Sequence, residues 1–313
     1  MKALLYEKFG GPEVLQVREL PAPVCRADGV VVRVRAAALG PGDCKARAGL
    51  LQDHVDIKFP KIPGRYGCGD VVEVGEQVGS ARVGEAVVFT AAHGESGSCA
   101  ELVRLSPARL ATKPRNLGYA ETAAVIQAGV CAFTLLCEAG EVAPGDKVLV
   151  HGGAGSVGSA CVELARHLGA QVTATCRDSS RALVEALGAD RVVAFDREPF
   201  WRVISQQDVV VDLIGGDVHR HSYEVLTRGG RLVYLHAAPF EDRSAAFGVR
   251  LLNAAIDNRR SVLEAVVALA EREVFTPRLG NVFPLASAAE AHRMIEADGV
   301  RRGRIVIAVD ESH

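Results

Sequence analysis

Short apolar runs alternate with segments of helical period from Lys147 onward, and this alternation restricts the fold more than any other feature of the 313-residue chain. Such runs are typical of strands buried on both faces of a sheet, and the segments between them place apolar residues on one helical face. The predicted strands are Lys147–His151, Gln171–Thr175, Arg191–Ala194, Asp208–Ile214 and Arg231–Leu235, and the predicted helices are Val157–Leu168, Ser180–Leu187 and Val218–Leu226. Repeated β-α-β order predicts a doubly wound parallel sheet.

Both ends of the chain carry a different pattern, in which short β-type runs are broken by glycine and proline. These runs are Val30–Arg35, Asp70–Val74, Glu85–Phe89, Ala100–Arg104 and, near the C-terminus, Gly303–Val309. Short strands with turns between them predict a compact barrel. We therefore expect an α/β protein in which residues 1–118 and 256–313 form a barrel domain, and residues 119–255 form an inserted doubly wound domain.

A glycine-rich turn follows the first strand of the alternating region and opens its first helix. Its glycines fit the pattern G-x-G-x-x-G, which indicates dinucleotide binding in this strand–turn–helix context. They permit a sharp turn, close approach of the backbone to a pyrophosphate and tight helix packing, while the helix N-terminus offers N–H groups and a positive dipole. The predicted cofactor-binding residues here are Gly153, Ala154, Gly155, Ser156, Val157 and Gly158. The inserted domain is therefore predicted to be a Rossmann domain.

The residues after the second strand of this domain favour NADPH over NADH. NADH sites commonly place an Asp or Glu at this strand end to bind the ribose diol, whereas here Arg177 follows the strand, with Ser180 and Arg181 close behind. A guanidinium can bind the 2′-phosphate of NADPH through two hydrogen bonds. Asp178 keeps the alternative open, because NADH would be preferred if its carboxylate occupied the strand end instead of Arg177.

Composition argues against several other classes of function. The net charge of −2 predicts no dedicated surface for nucleic acid or an anionic membrane. We find no apolar run close to the roughly 18–20 residues of a membrane span and no signal peptide, so we expect a cytoplasmic protein. The eight cysteines are scattered without a Cys-x-x-Cys pair, which is typical of reduced, mostly buried thiols.

Several segments together resemble the quinone oxidoreductase, zeta-crystallin-like branch of the medium-chain dehydrogenase/reductases, and the resemblance covers nearly the whole chain. Besides the glycine turn, the similar segments are Met1–Pro23, Pro63–Gly69, Gly97–Val103, Gln127–Phe133, Leu187–Asp190 and Gly303–Val306. The resemblance implies a GroES-like barrel with an inserted Rossmann domain, an active site in the cleft between them, and a homodimer formed through the Rossmann domain. It also implies NADPH-dependent reduction of a quinone or of the activated C=C bond of an enone or enoyl substrate.

A few residues depart from the family pattern around its pocket. Gly40 replaces an asparagine that commonly lies near the nicotinamide, Tyr66 replaces an aspartate, and Cys99 and Phe195 each replace a tyrosine. Gly40, Arg65 and Tyr66 also stand where zinc-dependent relatives carry their Cys and His-Glu residues, and none of the three is a suitable zinc ligand. We therefore expect no metal. Reduction of a conjugated C=C bond or a quinone is then favoured, because hydrogen bonds alone can stabilise the developing oxyanion.

The candidate catalytic residues are Tyr66, Asp43 and His236. Tyr66 could donate its phenolic O–H to the oxyanion, although a packing role explains this residue equally well. Asp43 matches a family position, but it would equally serve as the acidic cap of a nearby helix. His236 follows the last predicted strand, where the chain should pass near the nicotinamide, and His93 is a second candidate proton donor.

Cys131 is predicted to contact the cofactor, because the resemblance places its segment around the nicotinamide. Leu235 and His236 are predicted to contact it because they lie at the end of a strand where the chain should pass near the nicotinamide. Two alternatives to a quinone or enone reductase remain open. One is an enoyl reductase that tailors a polyketide or another secondary metabolite. The other is an NADPH-binding protein with little catalysis, which the missing asparagine at Gly40 slightly favours.

Overall fold

The computed structural model describes residues 1–52, 56–92, 95–236, 238–256, 258–298 and 303–309. It divides into two compact units, which we call the barrel unit (Met1–Gln127 with Asn258–His313) and the nucleotide unit (Ala128–Asp257). The first predicted boundary, between residues 118 and 119, falls at the start of the helix Tyr119–Phe133. The unit boundary instead lies inside that helix, because a continuous helix gives no local signal of where one core ends and the next begins.

The nucleotide unit contains a six-stranded, fully parallel sheet, which confirms the predicted doubly wound fold. In spatial order its strands are Arg191–Ala194, Gln171–Cys176, Lys147–His151, Gln207–Asp212, Leu226–Tyr234 and Arg250–Asn253. Its helices are Ser156–His167, Arg181–Ala186, Asp217–Val225 and Ser244–Phe247. The strand order reverses beside Lys147–His151, and such a switch point is where open α/β sheets bind nucleotides.

The sixth strand, Arg250–Asn253, was not predicted. It pairs with Leu226–Tyr234 at the edge of the sheet, and its residues are exposed or half-buried. An edge strand lacks the continuous apolar run that marks a strand covered on both faces. The extended conformation of Arg250–Asn253 therefore depends on pairing with its partner strand. Its own sequence is typical of an irregular segment, which is why it was not predicted.

The barrel unit is built mainly on antiparallel strands from both ends of the chain, as predicted. The strands of its seven-stranded sheet are Leu279–Pro284, Arg304–Ala308, Val30–Leu39, Tyr66–Val74, Ala86–Thr90 and Leu110–Thr112 in spatial order, with Leu102–Leu105 paired to Val30–Leu39. A two-stranded sheet joins Lys2–Leu5 to Gln16–Glu19. The helices are Pro41–Arg47, Arg260–Glu271 and Ala288–Asp298. One apolar cluster, contributed by both chain ends, fills this unit.

One helical segment corrects the expectation that no apolar run approaches membrane-spanning length. The α-helix Tyr119–Phe133 continues as a π-helix, Thr134–Ala139, and a window of 18 residues within these 21 has a mean hydropathy of 1.6. This meets the length and composition of a membrane span. However, 72% of the apolar window is buried inside the protein, as in the core helix of a globular fold. Polar residues such as Gln127 and Thr134 interrupt the apolar residues of this segment, so the sequence contains no unbroken apolar run of that length.

Candidate active site

The glycine turn connects the strand Lys147–His151 to the helix Ser156–His167, as the motif predicts. Gly152 adopts a φ of 75°, the left-handed region that favours glycine. A Cβ on Gly158 would lie 2.0 Å from the carbonyl oxygen of Gly152, and one on Gly153 would lie 2.9 Å from Cβ of Ala174. Both glycines are therefore required by close packing of the helix on the turn and of the turn on the sheet.

The open side of this turn has the properties of a pyrophosphate site. Gly155 precedes the twelve-residue helix in an extended conformation, and Ala154, Gly155, Ser156 and Val157 are all half-buried rather than covered. Backbone N–H groups of the first helical turn lack carbonyl partners within the helix, and the helix dipole is positive there. The chain thus offers a preformed cradle that fits a dinucleotide.

Arginines gather at the ends of the two strands beside the turn. The strand Gln171–Cys176 ends one residue before Arg177, whose exposed guanidinium lies 5.6 Å from the ring of Phe195. Arg181 donates from Nη1 to the carbonyl oxygen of Val192 at 2.8 Å. Ser180 closes the short 3₁₀ turn between these two arginines.

Asp178 is held within this arginine cluster. Its Oδ1 lies 3.3 Å from Nε of Arg181, and its Oδ2 lies 3.4 Å from Nε of Arg197. In the sequence, the carboxylate of Asp178 left NADH as an alternative cofactor. In the structure this carboxylate is paired with two cations. Arg197 was missed, because its role depends on two adjacent strand ends meeting. Its position just after the third strand, Arg191–Ala194, is the signal that could have found it.

His236 belongs to a buried polar cluster at the ends of the fourth and fifth strands. Its Nε2 lies 3.1 Å from Oδ2 of Asp212, and Nδ1 of His219 lies 2.8 Å from the same oxygen. Nε2 of His219 lies 3.1 Å from the hydroxyl of Tyr223. Within the described ranges, Asp212, His219 and His236 form the one group of three potential metal ligands, and hydrogen bonding to a single carboxylate accounts for their spacing.

Asp212 is the charged centre of this cluster. Although burial raises its pKa, hydrogen bonds from His219 and from the N–H groups of Gly215 and Ile214 outweigh burial and lower the pKa to about 2. The carboxylate is fully buried and ionised at neutral pH. It therefore orients the imidazole of His236, whose Nδ1 is buried and has no hydrogen-bond partner among the described residues.

A cavity of 240 Å³ in the barrel unit collects several residues of the predicted pocket. Its polar lining comes from Asp43, Lys61, Arg65 and Gln127, and most of the remaining lining is apolar or glycine. Two other cavities of the same unit, of 640 and 410 Å³, contain none of the predicted site residues. We therefore take the smaller cavity as the candidate substrate pocket.

Asp43 and Gly40 occupy one wall of this pocket. Oδ2 of Asp43 accepts the N–H of Gly40 at 2.9 Å. This hydrogen bond caps the helix Pro41–Arg47, which is the alternative to a catalytic role that the sequence analysis gave for Asp43. A Cβ on Gly40 would lie 2.5 Å from Nη1 of Arg304 and 3.5 Å from Oε1 of Gln127. The guanidinium of Arg304, from a distant part of the chain, therefore occupies the space next to Gly40, and the amide of Gln127 lies beside it.

Tyr66 is not among the residues that line this cavity. Its hydroxyl donates to Oδ1 of Asn258 at 2.8 Å, and only 2% of the residue is exposed. A role as oxyanion donor would require breaking that bond, so the arrangement supports the packing alternative. Its neighbour Arg65 lines the cavity instead.

The other candidate residues are distributed as follows. Cys131 is buried in the nucleotide unit, and the N–H of Leu235 donates to the carbonyl oxygen of Asp212 at 3.0 Å. Cys99 is fully buried, and burial raises its pKa well above the ordinary value, so it is a packed thiol. His93 lies outside the described residues.

The positions that hold zinc in zinc-dependent relatives do not fit a zinc ion here. Gly40 has no side chain, Arg65 carries a cationic guanidinium, and the hydroxyl of Tyr66 is bonded to Asn258. Zinc prefers thiolate, imidazole and carboxylate ligands in tetrahedral sets. These three residues supply none of them.

Comparisons with known proteins agree with this geometry. Residues 26–144 match the family model described as "Alcohol dehydrogenase GroES-like domain", and residues 187–307 match "Zinc-binding dehydrogenase". The glycine turn lies between the two matched ranges.

Two curated plant relatives are similar to this chain over part of their length. The chain is 34% identical over 248 residues to the 2-methylene-furan-3-one reductase of Solanum lycopersicum. It is 33% identical over 247 residues to the chloroplastic NADPH-dependent alkenal/one oxidoreductase of Arabidopsis thaliana. Each match covers 76% of this chain and 63% of the relative.

A solved structure matches over the whole length. The quinone oxidoreductase from Coxiella burnetii is 30% identical, with a TM-score of 0.88 and 99% of both chains covered. The predicted resemblance and fold class are thereby confirmed. This chain belongs to the medium-chain dehydrogenase/reductase superfamily, in its quinone oxidoreductase branch.

Proposed function

We propose that the protein is an NADPH-dependent reductase that transfers a hydride to a quinone or to the activated C=C bond of an enone or enoyl substrate. The observation that carries this proposal is the cradle formed by Gly153–Gly158 at the switch point of the sheet, with arginines at the neighbouring strand ends. The names of its relatives, an alkenal/one oxidoreductase, a 2-methylene-furan-3-one reductase and a quinone oxidoreductase, support the same reaction class.

Different residues of the nucleotide unit would bind different parts of NADPH. The first turn of the helix Ser156–His167 would bind the pyrophosphate, and Arg177 and Arg181 would bind the 2′-phosphate. Because Asp178 is already paired with Arg181 and Arg197, it is poorly available to a ribose diol. NADPH supplies the hydride from its nicotinamide ring.

The acceptor would bind in the 240 Å³ cavity of the barrel unit, which combines apolar walls with a few polar groups. Small-molecule sites commonly have this composition. His236, oriented by the ionised carboxylate of Asp212, is our candidate proton donor to the reduced acceptor. We further propose that the protein is cytoplasmic and that it forms a homodimer through the nucleotide unit, and sedimentation tests the dimer.

The experiment is NADPH oxidation against a panel of quinones, alkenals, cyclic enones and enoyl thioesters, with nucleotide titrations in parallel. We expect Arg177→Ala and Arg181→Ala each to weaken NADPH binding by about 10- to 100-fold, the loss of a charge-assisted hydrogen bond, and to leave NADH binding unchanged. Arg220→Ala, an exposed arginine on another helix, is the matched control.

Two results would count against this proposal. An unchanged NADPH/NADH affinity ratio in both variants would refute the assignment of the 2′-phosphate site. Tight NADPH binding without turnover of any acceptor would favour the alternative of a nucleotide-binding protein with little catalysis.

A further inference from the structure

Gln127 is a polar residue in an apolar stretch of the helix Tyr119–Phe133. Its neighbours Ile126 and Ala128 are buried, with exposed fractions of 2% and 5%. A glutamine carries both a carbonyl oxygen and an NH2 group, and placing either among buried residues costs free energy unless a hydrogen-bond partner is present. The helix therefore holds in a defined position an amide that apolar packing does not explain.

The carboxamide oxygen of Gln127 lies at the candidate substrate pocket without a hydrogen-bond partner. Gln127 lines the cavity of 240 Å³, and its Oε1 lies 3.5 Å from the position that a Cβ on Gly40 would take. This oxygen is buried, and none of the residues that the structure describes donates a hydrogen bond to it. A buried acceptor without a donor has lost its hydrogen bonds to water, and a ligand that brings a donor recovers that free energy.

The polar groups around this oxygen have other partners. Oδ2 of Asp43 accepts the N–H of Gly40 at 2.9 Å. Nη1 of Arg304 donates to the carbonyl oxygen of Leu39 at 3.2 Å. Gly40 itself has no side chain that could donate to Oε1 of Gln127. A ligand in the cavity can supply the missing donor.

The charged residues of the cavity act on one another, so their charge does not require an anionic ligand. Burial raises the pKa of Asp43, and the charge of Arg65 opposes this effect. Burial lowers the pKa of Lys61, and the charges of Asp43 and Glu95 oppose it. Each lining cation thus has a carboxylate acting on it. The polar group that these interactions leave unsatisfied is the neutral amide, which suits a neutral ligand.

We propose that this pocket selects neutral substrates that carry a hydroxyl or N–H group beside the activated C=C bond or quinone, and that Oε1 of Gln127 accepts a hydrogen bond from this group. The apolar lining, including Leu51 and Ile57, suits the carbon skeleton of such a substrate. The inference rests on the reductase function proposed above and names its substrate class. A substrate without the donor would leave a buried oxygen unpaired in the complex, and sites of this kind discriminate strongly against it.

The test compares two enones of the same shape, (E)-5-hydroxy-3-penten-2-one and (E)-3-hexen-2-one, in which a methyl group replaces the hydroxyl. With the wild-type protein and NADPH, we expect kcat/KM to be about 10- to 100-fold higher for the hydroxy enone, the range for pairing a buried polar group. Gln127→Met keeps the length of the side chain without the carboxamide and should remove most of this preference. A wild-type protein that does not distinguish the two enones, or a Gln127→Met variant that retains the preference, would overturn the inference.

A second variant separates the carboxamide oxygen from the NH2 group. Gln127→Glu retains an acceptor and loses the donor, so it should keep the preference for the hydroxy enone. Loss of the preference in this variant would refute the assignment to Oε1. Gln77→Met, which replaces an exposed glutamine of the barrel unit, is the matched control and should change neither value. Each variant is judged by the ratio of its two kcat/KM values, in which a change in the folded fraction cancels.

Binding measurements separate this inference from the proposed function. Ligand-observed NMR titration of both enones in the absence of NADPH needs no turnover. If neither enone is reduced when NADPH is added, the proposed reductase function fails for this class, while tighter binding of the hydroxy enone that depends on Gln127 still supports recognition of its hydroxyl group. Equal binding of the two enones refutes that recognition, whether or not the protein is a reductase.

Discussion

Replacing Gly158 with alanine tests whether the glycine turn is as tightly packed as the structure indicates. The added Cβ would lie 2.0 Å from the carbonyl oxygen and 2.7 Å from the carbonyl carbon of Gly152. Both are backbone atoms, so no side chain can rotate away. Restoring an ordinary contact of 3.4 Å requires the helix Ser156–His167 to move from the turn by roughly 1.4 Å, the difference between 3.4 and 2.0 Å.

A shift of this size disturbs the packing of a buried helix on the sheet, where Val162 and Leu164 are fully covered. We expect a destabilisation of about 3 kcal/mol, the upper part of the usual range for overpacking. NADPH affinity should fall as well, because the displaced helix no longer presents its first turn to the pyrophosphate.

Trp201 provides the assay, since it is the single tryptophan of the chain and lies in the nucleotide unit, stacked on His221. Its fluorescence during urea unfolding reports the stability of this unit. NADPH titration measures the affinity of the glycine turn for the cofactor. Gly42→Ala is the control for glycine replacement, because a Cβ there has nothing within 4 Å. A Gly158→Ala protein with the wild-type urea midpoint and NADPH affinity would refute the close approach on which the cofactor assignment depends.

Two further predictions concern buried polar groups. Burial lowers the pKa of His151 from 6.5 to about 4, so as the pH falls the unfolded chain takes up this proton first. Stability of the nucleotide unit should thus be complete above pH 6.5 and decrease by about 3 kcal/mol on acidification to pH 4, and a His151→Gln variant followed by Trp201 fluorescence should lose most of this dependence. Tyr66→Phe leaves Oδ1 of Asn258 without its donor and should destabilise the barrel unit by about 1–3 kcal/mol, while the turnover rate changes less than about tenfold. If turnover instead slows by about two orders of magnitude or more and stability is unchanged, Tyr66 is restored as the oxyanion donor.

Elements with a strong local signal were predicted closely. Lys147–His151 and Arg191–Ala194 begin and end at the predicted residues, because each is a short apolar run enclosed by turn residues. Val30–Leu39 extends four residues beyond its prediction, through Ala36–Leu39. Alanine has little strand preference of its own, and pairing with Arg304–Ala308 at the other end of the chain keeps this segment extended.

The cofactor site also has a part that the sequence could predict and a part that it could not. The glycine turn is a contiguous motif whose physical demands are local, so sequence alone located it. Arg197 is different, because it reaches Asp178 only after two strands align side by side. The charge environment of Asp178, and with it the argument for NADPH, therefore depends on tertiary pairing that no spacing rule encodes.

Gly40 shows why the departures from a family motif were harder to interpret than the motif itself. From the sequence, the loss of asparagine at this position suggested a pocket with one polar group fewer and slightly favoured a protein with little catalysis. In the structure, Nη1 of Arg304 occupies the space that a Cβ on Gly40 would need, and the amide of Gln127 lies at ordinary contact distance from that position. Arg304 also donates to the carbonyl oxygen of Leu39 at 3.2 Å, so its position is defined by hydrogen bonding as well as by packing. A side chain at residue 40 would thus require the guanidinium of Arg304 to move. The substitution exchanges one polar group for others, and it gives no support to loss of function.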